Sequence, residues 1–388
     1  MTLFFWISGP LLALVWFVPL FQAWRNGLVT DITGPEWSPP PDSRFPFLTI
    51  VVPARNEETE LEPALDSLLR LDYPAYEVIA VDDRSTDSTG EIMERMANSP
   101  EATGKLRVVH VRELPEGWLG KTHAMWLGAQ QAGGEWMLFT DADCVFHPES
   151  LRRAIYYATT TGADHLVVFP TAFMKTWGER MMISFPQVMA GLVFRPWKVK
   201  DKTARDSIGV GAFNLVRRSA YQAMGTFEKL RMEVIDDLKF GEAVKQAGLR
   251  QDVVAGPDLV SLRWAVGAMG VVRNLEKNLF AFFQFRLSMV LGACMVLWLL
   301  CIWPFAALMA APGWARAPFA FTILAIGGHY YRTSRITRAS SWLFLTAPIA
   351  ATMFGFAVLR SAFHAIKDGG VTWRGTRYSL RELRNMKA

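Results

Sequence analysis

Hydrophobic positions along the chain change their pattern twice. From Leu3 to Phe21 they form one apolar run, broken only by Ser8, Gly9, Pro10 and Pro19 and closed by Gln22-Ala-Trp-Arg25. A run of about 20 such residues can cross a bilayer as a helix. No basic residue precedes it and no small-x-small cleavage site follows, so an uncleaved anchor is expected. Arg25 after the run directs the next segment to the cytoplasm. A stiff, donor-poor linker follows at Gly34-Pro-Glu-Trp-Ser-Pro-Pro-Pro-Asp42. From Phe47 short apolar runs alternate with helical periodicity. Leu48–Val52, Glu77–Val81, Leu106–Val111 and Trp136–Thr140 read as buried strands; Glu58–Leu71, Ser88–Met96 and Lys121–Ala132 read as helices. This alternation predicts an α/β fold whose mostly parallel sheet is covered on both faces. In such sheets ligands lie at the carboxyl ends of the strands, so the chemistry is expected directly after each one.

After Trp264 the pattern changes again. Val271–Arg286 carries a cationic side (Arg273, Lys277, Arg286) and an aromatic side (Phe280, Phe282, Phe283, Phe285), which predicts a helix in the membrane interface. Leu287–Ala311 and Trp342–Phe363 are long enough to span; Pro318–Tyr331 is apolar but short. Three spans after a cytoplasmic domain would leave the C-terminal tail outside, against the placement that its basic residues and Arg332, Arg335 and Arg338 favour. One later segment is therefore expected to be re-entrant or interfacial, either Pro318–Tyr331 or the segment containing Pro348. The expected division is a transmembrane helix over 1–25, a linker over 26–46, a catalytic α/β domain over 47–265 and an interfacial helix over 266–286. Two or three membrane helices over 287–363 and a basic cytoplasmic tail over 364–388 complete it.

Composition sharpens this picture at two points. Of 388 residues 51% are hydrophobic, enough for one soluble domain and a membrane part but not for two large soluble domains. The formal charge of +5 resides in the end of the chain, where Arg360, Lys367, Arg374, Arg377, Arg381, Arg384 and Lys387 face only Asp368 and Glu382. A basic tail beside apolar helices suits anionic headgroups. No basic stripe with interleaved aromatics runs through the α/β part, so nucleic acid is not an expected partner. Cys144, Cys294 and Cys301 show no Cys-x-x-Cys spacing and provide neither a disulfide framework nor a zinc site.

Acidic clusters do follow the strands. Pro53-Ala-Arg-Asn-Glu57 comes after the first, Asp82-Asp-Arg-Ser-Thr-Asp87 after the second and Thr140-Asp-Ala-Asp-Cys144 after the fourth. Residues i and i+2 of an extended segment point the same way, so Asp141 and Asp143 can face one divalent cation. Mg²⁺ or Mn²⁺ with few protein ligands and diphosphate oxygens completing its shell suits that pair. An isolated Asp-x-Asp is an ordinary solvated loop; the ordered series gives it meaning. His147 is a possible third ligand or a plain loop histidine, and His123 a possible phosphate contact or an exposed helix residue.

In this series the sequence resembles the inverting family 2 glycosyltransferases with the GT-A fold, a Rossmann-like arrangement, from about Leu48 to Arg286. The resemblance rests on Val51-Val-Pro-Ala-Arg-Asn-Glu57, Val81-Asp-Asp-Arg-Ser-Thr-Asp-Ser-Thr-Gly90, Gly117-Trp-Leu-Gly-Lys-Thr-His-Ala124, Asp141–Asp143, Gly209-Val-Gly-Ala-Phe-Asn214 and Glu233-Val-Ile-Asp-Asp237. Within that family it is most similar to membrane enzymes that glycosylate ceramide, hopanoids and carotenoids, whose Trp-Arg-Gly-x-x-Tyr segment matches Val371-Thr-Trp-Arg-Gly-Thr-Arg-Tyr378. The resemblance implies that Pro53, Ala54, Glu57 and Asp82 or Asp83 contact the nucleoside. It implies that Lys121 lies near the diphosphate, that Asp141 and Asp143 hold the metal, and that Asp237, with Asp236 second, takes the acceptor's proton. Val260-Ser-Leu-Arg263-Trp264 keeps only the last two residues of the family's Gln- or Arg-x-x-Arg-Trp motif; Arg263 would stabilise the diphosphate and Trp264 floor the acceptor site. The missing polar residue argues against a processive polymerase and weakens the link to ceramide.

The function so implied is transfer, with inversion, of one sugar from a nucleotide-sugar, UDP-linked by expectation, to a hydroxyl of a membrane lipid. It would occur on the cytoplasmic side of the cell (inner) membrane. The alternatives are a polyprenyl-phosphate glycosyltransferase, a processive polysaccharide synthase, or a membrane-bound nucleotide-sugar binder without turnover.

Overall fold

The computed structural model describes residues 2–373 and 376–385. The chain forms two compact units, one of Val29–Phe173 with Lys198–Arg263, the other of Met1–Leu28, Met174–Trp197 and Trp264–Ala388.

The first unit is α/β. Its strands are β1 (Leu48–Ala54), β2 (Tyr76–Asp83), β3 (Leu106–Val111), β4 (Trp136–Phe139), β5 (Val145–Phe146), β6 (His165–Phe169), β7 (Thr171–Ala172), β8 (Asn214–Arg217), β9 (Gln251–Ala255) and β10 (Val260–Leu262). Seven of them form one sheet in the order β3-β2-β1-β4-β8-β6-β9, and β5-β10-β7 form a small second sheet. β1 pairs in parallel with β2 and β4, β2 with β3, and β6 with β9. Within the seven-stranded sheet β8 runs antiparallel to its neighbours β4 and β6, and in the small sheet β10 runs antiparallel to β5. All seven residues of β1 are buried, which is why it reads as a continuous apolar run rather than an alternation. Successive side chains of a strand serve opposite faces. Ile50, Val52 and Leu138 pack with Leu65, Leu68 and Leu151 on one side. Val51, Met137 and Phe139 pack with Met125, Phe227 and Phe240 on the other.

The expected strands and helices up to Phe139 are present with shifts of a few residues at their ends. The first helix of this unit is Leu61–Leu69, shorter at its start than Glu58–Leu71 because the Glu58 N–H donates to Asp87 Oδ2 (3.3 Å) and the Glu58 carboxylate accepts the Ser88 N–H (3.2 Å) in the neighbouring loop. Strands β6, β8 and β9 are not among the expected ones. His165-Leu-Val-Val-Phe169 and Gln251-Asp-Val-Val-Ala255 are short apolar runs, which periodicity alone does not assign to strand or helix.

In the second unit, three helical stretches among the described residues are long and apolar enough to cross a membrane: Thr2–Arg25, Leu287–Ala310 and Ser341–Lys367. Helix Ala317–Ser334 is not one of them. Leu3, Ile7, Leu11 and Leu14 of the first helix are exposed, as a lipid-facing side requires. Polar groups tie the helices together: the Trp16 indole N–H donates to the Leu300 carbonyl (3.1 Å), and the His329 ring N–H donates to the Trp16 carbonyl (3.0 Å). The expected interfacial helix is Gly267–Phe282. It ends before Arg286 because Gln284 and Phe285 take left-handed backbone angles (φ 54° and 56°). Its aromatic side is divided: Phe280 and Phe285 pack edge-on within the unit (5.5 Å) while Phe282 is exposed. Gly370–Trp373 and Thr376–Ser379 form an antiparallel pair; Arg374, Gly375 and Lys387 lie outside the described residues.

The centre of the α/β unit rests on Phe139, whose ring meets Tyr221, Phe227 and Phe240 at 5.5, 4.9 and 5.8 Å. Phe139→Ala is expected to cost about 3–5 kcal/mol, read as a lower thermal midpoint of the detergent-solubilised protein.

Candidate active site

The order of the large sheet reverses between β1 and β4, since β1, β2 and β3 are laid down in one direction and β4 in the other. A crevice opens at the carboxyl ends of the strands at such a point. The loops after β1, β2 and β4 meet there.

The first two loops interlock. Asn56 and Arg84 adopt left-handed backbone angles (φ 55° and 57°). The Asn56 N–H donates to Ser85 Oγ (3.1 Å), and Asn56 Oδ1 accepts the Thr86 N–H (2.8 Å). The Glu57 N–H donates to Thr89 Oγ1 (2.8 Å). Pro53 and Ala54 end β1 fully buried. The two aspartates have different surroundings. Asp82 accepts the Ser85 N–H (3.0 Å) and bonds His110 Nδ1 (3.0 Å), while His110 Nε2 reaches Glu94 (2.9 Å). Those two carboxylates raise the His110 pKa. Asp83 is held by Arg84 Nε (2.8 Å) and lies 3.8 Å from an Arg55 nitrogen. A Cβ on Gly120 would lie 2.1 Å from the Asp83 carboxylate, so glycine is what lets that carboxylate sit against the start of helix Gly120–Gln131. His110 lies in no motif, and nothing in the sequence distinguishes it.

The next residue of that helix, Lys121, places its ammonium 2.8 Å from Asp141 Oδ1 and 3.3 Å from Asp236 Oδ2. One helix start thus touches both the loop after β2 and the loop after β4. Glycines close the other side. Gly211 O accepts the Asp141 N–H (3.1 Å), and its N–H donates to Asp237 Oδ2 (3.3 Å). A Cβ there would lie 2.4 Å from Asp141 Oδ2, and one on Gly209 would lie 1.7 Å from the Asp237 carbonyl oxygen. Asp236 and Asp237 begin helix Asp236–Gln246, and Asp237 Oδ1 accepts the Leu238 N–H (2.8 Å).

Burial dominates the electrostatics. It raises the Asp143 carboxyl, with the Asp141 charge adding to it. It raises Asp236, an effect the Lys121 ammonium opposes. Asp237 is pushed up to about 6, by burial first and the Asp236 charge second. Lys121 is held protonated because the three carboxylates of Asp141, Asp236 and Asp237 outweigh its own desolvation. Asp141 and Asp143 are hard oxygen donors whose mutual repulsion a divalent cation would relieve. Among the described residues no group of three or more His, Cys, Asp and Glu surrounds one point. The pair therefore fits a cation that takes its remaining ligands from substrate and water.

Other expected residues lie elsewhere. His123 is not on the surface; it is buried beside Trp118 and Trp126, 5.4 and 6.0 Å between ring centroids, because its helix face packs inward. His147 is exposed and accepts the Glu149 N–H (3.3 Å), a turn interaction. Arg263 follows β10, partly buried, at the end of the α/β unit, and Trp264 belongs to the other unit.

Lys121→Met would leave Asp141 and Asp236 without their ammonium. The expected cost is about 3–5 kcal/mol near neutral pH, seen as a lower thermal midpoint. The cost shrinks on acidification, as the raised carboxyls take up protons.

Comparison with known proteins bears on this arrangement. Residues 49–225 match the family model Glycosyl transferase family 2. The 4,4'-diaponeurosporenoate glycosyltransferase of Staphylococcus aureus (strain USA300) is 26% identical over 352 residues, covering 86% of this chain and 88% of the relative. Its counterpart in Staphylococcus aureus (strain bovine RF122 / ET3-1) is 25% identical over 346 residues, with the same coverage. Among solved structures, a mannosyltransferase of Pyrobaculum calidifontis, in complex with GDP-Man and Mn²⁺, superposes with a TM-score of 0.55 at 20% identity. That match covers 93% of this chain and 99% of the other, and it shows the fold. Residues 49–225 thus form a family 2 glycosyl transferase domain, and the chain that carries it is a glycosyltransferase with the GT-A fold.

Proposed function

We propose that this enzyme transfers a single sugar, with inversion, from a UDP-linked donor to a hydroxyl of a membrane lipid, and that it needs Mg²⁺ or Mn²⁺. The observation that carries this reading is the Lys121 ammonium shared by Asp141 and Asp236, which joins the expected donor side to the expected acceptor side. Asp141 and Asp143 would hold the cation, which when bound neutralises charge on the departing diphosphate. Lys121 adds a fixed positive charge at a helix start already suited to anions. Pro53, Ala54, Glu57 and the loop bearing Asp82 and Asp83 line the nucleoside. One of these two carboxylates accepts from it: Asp82 already bonds Ser85 and His110, and Asp83 lies between Arg84 and Arg55. Asp237 takes the acceptor's proton as the hydroxyl attacks, a role suited to a buried carboxylate with a raised pKa. Arg263 serves the diphosphate and Trp264 the acceptor.

The lipid class follows the curated relatives, named for 4,4'-diaponeurosporenoate, and the three apolar helices supply the membrane setting. With an N-terminal span and two later ones, the α/β domain and the basic tail would share one side, and the charge of that tail favours the cytoplasmic face of the inner membrane. The relatives' acceptor name denotes a carboxylate, which favours a second reading, transfer to a lipid carboxylate that needs no base.

Membranes containing the enzyme, given labelled UDP- and GDP-sugars, are expected to yield a labelled lipid by mass spectrometry; no labelled lipid from any donor would sink the proposal. Asp143→Ala should abolish turnover and metal-dependent donor binding by titration calorimetry, whereas unchanged turnover would remove it from the metal site. With a hydroxyl acceptor, kcat/KM should fall as pH drops through about 6, where Asp237 gains its proton. Asp237→Asn should then lower turnover by about 10²–10⁴-fold; a nearly harmless substitution would favour the carboxylate or a phosphate acceptor.

A further inference from the structure

Behind the glycine loop lie three polar side chains that the chemistry above does not use. His165 on β6, Asn214 at the start of β8 and Gln251 at the start of β9 are 0, 4 and 2% exposed. His165 Nε2 lies 3.2 Å from Asn214 Oδ1, and His165 Nδ1 lies 2.8 Å from Gln251 Nε2. The backbone fixes the direction of every bond. Gln251 Oε1 accepts the Ile208 N–H (3.1 Å), so Gln251 Nε2 is the amide nitrogen, and it also donates to the Gly241 carbonyl (3.3 Å). Asn214 Oδ1 accepts the Val210 N–H (3.4 Å). An amide nitrogen can only donate and an amide oxygen can only accept. The imidazole must therefore accept at Nδ1 and donate at Nε2, which makes it neutral and of a single tautomer. Burial, which lowers its pKa to about 4, favours the same neutral form.

The backbone groups so held are those that shape the site. Ile208 and Val210 flank Gly209, whose absent side chain leaves room for the Asp237 carbonyl. A Cβ on Gly241 would lie 2.5 Å from the Ile208 carbonyl oxygen, so the loop lies flat on the first turns of helix Asp236–Gln246. From there Gly211 reaches both Asp141 and Asp237.

We propose that His165, Asn214 and Gln251 are positioning residues for sugar transfer, a buried one-directional hydrogen-bond triad that sets the Gly209–Gly211 loop and, through it, Asp141 and Asp237. The inference rests on the reading of Asp141 as a donor-side ligand and Asp237 as proton acceptor. Replacing the imidazole with an apolar group strands one bond on Asn214 and one on Gln251, and each such loss is costly in a dry interior. A shift of about 1 Å in reacting groups can cost on the order of 100-fold in rate.

The test compares His165→Leu, the conservative His165→Gln and Asp237→Asn in the full-length protein in detergent. With the donor that labels lipid, His165→Leu should lower kcat by about 100-fold. His165→Gln, which keeps one donor and one acceptor, should recover most of that loss. Hydrogen exchange needs no substrate: peptides covering 206–214 and 236–242 should exchange faster in His165→Leu, with 48–54 unchanged. Should His165→Leu not fold, Gln251→Met reads the same loop; if neither folds, the triad belongs to the fold alone and the inference falls. Unchanged kcat and exchange in His165→Leu, with Asp237→Asn inactive, would overturn the triad and leave the functional reading standing. An active Asp237→Asn would instead overturn the functional reading, and the exchange result would still report on the triad.

Discussion

The site depends on how one ammonium is distributed among buried carboxylates. Lys121 lies within ion-pair reach of Asp141 and Asp236, and Asp237 adds to the field that keeps it charged. Taking charged groups out of water is costly unless they are paired and hydrogen-bonded. Here the pairing is incomplete: Asp143, Asp236 and Asp237 all hold their protons more tightly than free aspartates do. Such a cluster favours cations and would repel a bare diphosphate. The arrangement therefore suits a donor that arrives with a metal.

Much of this was legible in the chain because parallel sheets write plainly. Strands buried on both faces appear as short Val- and Ile-rich runs, and the loops after them carry the chemistry. Asp82, Asp83, Asp141 and Asp143 could be picked out by that rule alone. Lys121, Asp236 and Asp237 needed the family resemblance, since an acidic pair opening a helix also looks like ordinary capping. The structure shows a physical link among the three that no spacing reveals.

What stayed hidden was the antiparallel part. β8 runs against its neighbours, so its beginning rather than its end faces the site, and the rule of looking after strands skips Asn214. Contacts such as His165 with Gln251, or His110 with Asp82, join residues far apart in sequence and carry no periodic signal. The inward setting of His123 is hidden in the sequence because one polar residue among Trp118, Trp126 and alanines takes its environment from tertiary packing. The membrane part was readable by length and apolarity, but not the polar ties of Trp16 and His329 that join its helices.

The reversed strand also bears on when the site comes into being during synthesis. The loops around Asp82 and Asp141 belong to consecutive strand–helix units, which can form from nearby chain as it emerges. Two groups come much later: Gly211, which accepts the Asp141 N–H, and Asp236, which shares Lys121 with Asp141, lie some seventy and more residues after Asp141, and closing long loops is slow. The half around Asp82 can thus be assembled early, while Asp141 gains Gly211 only once the loop leading into β8 is in place and β8 threads in between β4 and β6. Catalytic competence is then a late event in folding.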